Sequence, residues 1–123
     1  MVTNTSTPRL FVPLASEPFR WFADGQKRWE LRRYGRQYTE RNVWVGRRVE
    51  LRRGYSTDES LRGVIVETMR SASIRELFAK VDYKTIVPTA DSEAEAIEIA
   101  NKILGIPDGS QGPVFAFRVE IET

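Results

Sequence analysis

The sequence predicts an α+β fold: a small barrel of mostly antiparallel strands with helices flanking it. Three observations carry this expectation. Several segments alternate apolar and polar residues with period two. Two others repeat apolar residues at helical spacing behind capping boxes. A chain of 123 residues, 41% hydrophobic and 29% charged, suits one domain with a real core. No internal repeat is present.

Residues 1–8 are rich in Thr and Ser and read as a flexible lead-in, with the domain over 9–123. Residues 9–15 form a short apolar run suited to a strand, which Pro13 confines to an edge or a bulge. Ser16 is placed to cap a helix. Glu17 and Pro18 suit its first turn, Phe19, Phe22 and Ala23 repeat at helical spacing, and Asp24-Gly25 supplies the stop. Residues 28–34 alternate as a strand, with Trp29, Leu31 and Arg33 on one face and Glu30, Arg32 and Tyr34 on the other.

A polar loop over 35–42 follows, and strand signals resume at 43–45 and at 48–53, where Val49 and Leu51 alternate with charged residues. After a loop over 54–60, the β-branched run at 61–69 suits a central strand. Ser73 with Glu76 opens one helix, whose stripe is Ile74, Leu77, Phe78 and Val81. Ser92 with Glu95 opens another. Its expected buried stripe is Ala96, Ile97, Ala100, Ile103 and Leu104, Gly105 ends it and Pro107 prevents resumption. The acidic residues of its first turn suit the helix dipole, so a structural role is expected for it. The last strand spans 113–121, with Phe115, Phe117, Val119 and Ile121 facing one way and Ala116, Arg118 and Glu120 the other.

Charge is unevenly spread. Nineteen Lys and Arg against seventeen Asp and Glu give a net charge of +2. Residues 20–53, however, hold eleven basic and four acidic side chains, while residues 54–123 hold seven and twelve. A local surplus of this kind points to an anionic partner on one side of the molecule. The chain has no Cys and no His. Disulfides, thiol nucleophiles, Ser-His-Asp triads and most zinc sites are thereby excluded. The carboxylates show no metal-ligand spacing and nothing in the chain calls for a cofactor. No apolar run approaches the roughly 20 residues that span a bilayer, and the N-terminus lacks an apolar signal core. A cytoplasmic chain with no membrane partner is expected.

The richest stretch is Gly25-Gln26-Lys27-Arg28-Trp29-Glu30-Leu31-Arg32. Gly25 lets the backbone turn sharply from helix to strand. Lys27 sits at the mouth of that turn, and Glu30 and Arg32 project from one strand face. A cation, a carboxylate and a guanidinium together suit a polar, partly anionic ligand. The plainer alternative is a surface ion pair on a solvated strand face.

GQKRWELR resembles the GxKxxExR signature of the ASCH domain, a family with a PUA-like β-barrel. The order and spacing of the elements from Leu10 to Ile121 are similar to the family as well. The resemblance implies binding of RNA or other nucleic acid, with Lys27, Glu30 and Arg32 lining a cleft and Gly25 making the turn. Some relatives remove the acetyl group of acetylcytidine, using the motif Lys with a Thr at the position of Glu30. Others have been linked to ribonuclease activity. Here Glu30 follows the general pattern rather than that of the deacetylating subgroup, and Gly46-Arg47 stands where the family often has Gly-Asp.

The basic surplus lies on the motif strand and its neighbours, as Arg28, Arg32, Arg33, Arg36, Arg41, Arg47, Arg48, Arg52 and Arg53. Arginine favours bidentate phosphate contacts and stacking on bases. Trp29, Tyr34, Tyr38, Trp44 and Tyr55 are interleaved with them, as suits unstacked bases. Core packing is the competing role, expected for Trp29, Phe115 and Phe117. The leading expectation is an RNA-binding or nucleotide-binding module whose ligand touches Gly25, Lys27, Glu30, Arg32, Arg33, Tyr34, Arg47, Arg52 and Tyr55. The alternative is a hydrolase of a modified nucleoside or an RNA phosphodiester. In it Lys27 activates the nucleophile or stabilises an oxyanion, Glu30 is the general base, and Tyr55 or Asp82 completes the site. A basic face that meets an acidic protein is a third possibility.

Overall fold

The computed structural model describes residues 7–55, 59–106 and 112–122. Met1, the remainder of the expected lead-in up to residue 6, and Pro107 lie outside them. The elements in chain order are β1 (Leu10–Leu14), α1 (Ser16–Ala23), β2 (Trp29–Arg33), β3 (Arg48–Arg53), β4 (Ser60–Ser71), α2 (Ile74–Phe78), α3 (Glu93–Leu104) and β5 (Val114–Ile121). A short 3-10 turn, Tyr83–Thr85, lies between α2 and α3.

The strands form one mixed sheet in the order β1-β3-β4-β5-β2. Three of its pairings are antiparallel, and β1 runs parallel to β3. The β-branched run is central, as expected, and β1 with Pro13 is an edge strand. The sheet curls into a half-barrel whose edges, β1 and β2, are bridged by a side chain rather than by a backbone ladder. Helix α1 connects these two edges and fills the space between them.

Two apolar clusters result. Inside the curl lie Val12, Phe22, Val49, Leu51, Ile65, Phe115 and Phe117. The second cluster packs α2, α3 and the 3-10 turn against the outer face of β2 and β5, through Trp29, Leu31, Leu77, Ala96, Ala100, Val114 and Ala116. The expected alternation of β5 holds, with Val114 on the face of Ala116. Both face a helical layer, so β5 is buried on both faces over its first half. Helix α1 contributes to both clusters, with Phe19 and Phe22 in the first and Trp21 in the second.

Local chemistry explains most boundaries. Ser73 Oγ accepts from the Glu76 amide and Ser92 Oγ from the Glu95 amide, each at 3.1 Å, so both capping boxes form. Ser16 does not cap: it is the first residue of α1, and Ala15 occupies the cap position without a side-chain bond. Residues 43–45 are not a strand. The Val43 amide bonds back to the Thr39 carbonyl, and the chain turns at Gly46 before β3 begins. Of these residues only Val43 enters the core, which leaves Trp44 and Val45 exposed. Among the described residues no helix is long and apolar enough to cross a membrane.

Gly63 marks the tightest approach in the sheet. A Cβ there would lie 2.7 Å from both the Glu120 carbonyl oxygen and Val119 Cγ1. The first of these atoms is backbone and cannot swing aside. Gly63→Ala is expected to cost about 1–3 kcal/mol, the usual range for overpacking. Urea unfolding would show it as a lower midpoint at unchanged slope.

Candidate functional site

The turn from α1 into β2 sets the position of Lys27. The Gln26 and Lys27 amides both donate to the Trp21 carbonyl, at 2.9 and 3.1 Å, and Gly25 takes the left-handed conformation (φ 80°) that this reversal needs. The Arg28 amide then donates to the Thr85 carbonyl at 2.8 Å, which fastens the 3-10 turn beside the start of β2. Lys27 Nζ donates to the next carbonyl, that of Ile86, at 2.7 Å, and lies 3.6 Å from Glu30 Oε1.

Glu30 and Arg32 project from β2 on the same side as Phe115 and Phe117 of β5, their register partners. Arg32 Nε donates to Glu30 Oε2 at 2.6 Å, Nη1 to the Tyr38 hydroxyl at 2.9 Å, and Nη2 to the Pro13 carbonyl at 2.7 Å. That last bond spans the open seam between β2 and β1. Lys27 is only 6% exposed and Glu30 5%, so this is no solvated surface pair.

These three side chains form the polar floor of a cleft of about 540 Å³. One wall comes from Pro13, Leu14 and α1, the other from Ile86, Val87 and the last turns of α3, and Glu17 and Thr89 reach the cleft as well. The walls are mainly apolar. Ile103, expected in the buried stripe of α3, is 62% exposed and faces this cleft. Helix α3 thus presents one broad apolar arc: Ala96 is in the core, Ala100, Ile99 and Leu104 meet both core and cleft, and Ile103 meets the cleft.

Burial lowers the Lys27 pKa from its ordinary 10.5, against the opposing pull of Glu30. For Arg32 burial also disfavours the charge, but Glu30, Tyr38 and Tyr55 outweigh it and the pKa rises. Both carboxylate oxygens of Glu30 are engaged. Lys27 and the terminal nitrogens of Arg32 each keep an N–H without a partner among the described residues. The floor carries a surplus positive charge and spare donors, so it suits a carbonyl or an oxyanion.

The other expected site residues disperse. Arg52 and Tyr55 lie on the outer side of the β1–β3 edge, where the Arg52 guanidinium sits 5.1 Å from the Phe11 ring and Tyr55 packs 5.6 Å from it. Arg33 is exposed at the end of β2 and does not line the cleft. Tyr34 donates its hydroxyl to Glu40 and lies under Arg70, away from the cleft. Arg47 donates to the carbonyls of Asn42 and Pro8, at 2.8 and 3.0 Å, and so ties the turn before β3 to the entry of β1. Asp82 caps the 3-10 turn and is not in the cleft. Among the described residues no cluster of three or more His, Cys, Asp or Glu could hold a metal ion.

The sequence gives no sign of the roles of Trp21 and the Ile86 carbonyl, and Tyr38, expected among base-stacking rings, instead holds Arg32. The apolar arc of α3, from Ala96 to Leu104, was the available signal for the cleft wall: it is wider than one buried stripe requires.

No family model and no curated protein matches the sequence. The fold does have solved counterparts. Hypothetical protein PH0355 aligns with a TM-score of 0.73 at 17% identity, over 94% of this chain and 100% of the other. Protein PF0455 from Pyrococcus furiosus gives 0.65 at 19% identity, over 93% and 97%. ASCH from Zymomonas mobilis gives 0.59 at 13% identity, over 89% of this chain and 65% of that one. The chain has the ASCH-domain fold. Within that fold, the signature residues Lys27, Glu30 and Arg32 occupy the floor of the cleft and Gly25 the turn before it.

The lowered Lys27 pKa has a measurable consequence. Between its folded value and 10.5 the unfolded chain binds more protons, so stability climbs as pH rises through that window. Urea unfolding is expected to show this climb above neutrality, below the range near 10.0 where tyrosines ionise. Lys27→Met should flatten it. An equal climb in that variant would assign the effect to another group.

Proposed function

We propose that this ASCH-fold chain is a cytoplasmic module that binds RNA, or a nucleotide-like ligand, with one nucleotide seated in the cleft. The observation that carries the reading is the convergence of Lys27, Glu30 and Arg32 on the floor of an apolar-walled cleft of about 540 Å³. That volume falls within the roughly 300–1,000 Å³ of small-ligand sites. Flat apolar walls suit the faces of a base. The spare donors of Lys27 and Arg32 suit a base carbonyl or a phosphate oxygen.

One observation favours a second reading, hydrolysis of a modified nucleoside or of an RNA phosphodiester. Lys27 is a buried amine with a lowered pKa beside a carboxylate, as in sites that stabilise an oxyanion or activate a nucleophile. The engagement of both Glu30 oxygens weighs against a free general base and places binding first.

Fluorescence anisotropy with a short single-stranded RNA tests the first reading. Affinity should fall with rising salt. Lys27→Ala should weaken it by about tenfold or more, the worth of a charge-assisted hydrogen bond. Binding no tighter than that of an unrelated basic protein would sink the proposal. Incubation with acetylcytidine and with labelled RNA separates the second reading. Turnover that is lost in Glu30→Gln supports it, and no turnover in either assay leaves binding alone.

A further inference from the structure

Helices α2 and α3 cover only half of the outer sheet surface. Over β1, β3 and the start of β4 nothing covers it among the described residues. Register aligns the outward side chains there in rows. Phe11 lies beside Glu50, which lies beside Arg62, and Pro13 lies beside Arg52, which lies beside Ser60. Arg48 belongs to the same outward set of β3, since Val49 and Leu51 point into the core. Arg48 and Arg62 are exposed, and neither side chain makes an ion pair or hydrogen bond among the described residues. On β1, β3 and the start of β4 three arginines thus face Glu50, with the Arg9–Glu122 ion pair at the end of the patch and Glu120 next in the row of Arg48 and Val64.

One end of the patch is built differently. Arg52 Nε and Nη2 both donate to Glu50 Oε2, at 3.2 and 2.6 Å, which holds the guanidinium above the Phe11 ring. Tyr55 rests on the same ring and is 75% exposed. A tyrosine so open, backed by a second ring and a fixed guanidinium, is a stacking platform. It adjoins the cleft. Pro13, the neighbour of Arg52, lines the cleft and accepts from Arg32.

We propose that the Phe11–Tyr55–Arg52 platform stacks the nucleotide next to the one in the cleft, with Arg48 and Arg62 contacting phosphates beyond it. The ligand is then a single-stranded oligonucleotide rather than a free nucleoside. This rests on the cleft reading above. It goes further by giving the strand a path over the β1–β2 seam onto the uncovered sheet face.

The test compares a labelled random-sequence RNA hexamer with a mixture of the four nucleoside monophosphates, by anisotropy and calorimetry. The hexamer should bind at least about tenfold more tightly, as one added stacked base and its phosphate contacts require. Tyr55→Ala should weaken the hexamer by about five-fold to a hundred-fold and leave the monophosphates unchanged. Tyr55→Phe should keep most of the affinity. Arg48→Ala and Arg62→Ala should each lower the salt slope by about one.

If Tyr55→Ala changes both probes alike, or neither, while Lys27→Ala still weakens both, the platform is overturned and the cleft reading stands. If the wild-type chain binds neither probe, both fall. A polyglutamate peptide that binds as tightly as the hexamer, with the same loss in Tyr55→Ala, overturns the proposal in favour of an acidic protein partner.

Discussion

The bond from Arg32 Nη2 to the Pro13 carbonyl joins the two free edges of a curled sheet. A sheet edge normally presents unpaired backbone groups that must be covered or paired. Here one guanidinium takes the place of a ladder at the point where the curl fails to close. It does so from a half-buried position, which has an electrostatic cost. Glu30 offsets that cost for Arg32 and for Lys27 at once, one carboxylate oxygen facing each cation. Removing Glu30 would leave two uncompensated cations, whereas removing either cation leaves the other paired with Glu30. The Ile86 carbonyl completes the arrangement by holding the ammonium from the opposite wall.

The half-barrel leaves room for this group because α1 runs between the two edge strands. Its short length would give little stability alone, but Phe19 and Phe22 enter one apolar cluster while Trp21 enters the other. The helix is thereby fixed between two cores, and the turn that follows it sets Lys27 to within hydrogen-bonding reach of its partners. Burial of β5 on both faces gives β2 a rigid neighbour along its length. The polar floor therefore stands on two well-packed layers, as precise binding geometry requires.

Much of the fold was legible because it rests on local codes. Capping boxes place both later helices, period-two alternation places β3, and Pro13 marks β1 as an edge. What failed were features set by tertiary environment. Trp21 breaks the stripe of Phe19 and Phe22 because α1 has two neighbours rather than one. Val43 and Val45 carry strand propensity, but the chain there bonds to its own preceding turn.

The site divides in the same way. Spacing put Lys27, Glu30 and Arg32 together on one strand and its turn, and the resemblance to the ASCH signature marked them as cleft residues. Charge counting was less discriminating. It grouped arginines that the fold assigns to separate tasks: Arg47 tying a turn, Arg52 lying over Phe11, and Arg33 in solvent. The apolar wall had one local signal, the breadth of the α3 arc, while Val87 reaches the cleft through the fold of the 3-10 turn.

The contact between Lys27 and Ile86 spans 59 residues of sequence, and the one between Arg32 and Pro13 spans 19. Neither can form in an isolated hairpin or helix. Contacts of such separation carry a loop-closure cost. The cleft is therefore set by contacts between distant parts of the chain and by no single local element. Whatever occupies it recognises only molecules that have finished folding, and by mass action it shifts the balance away from unfolded ones.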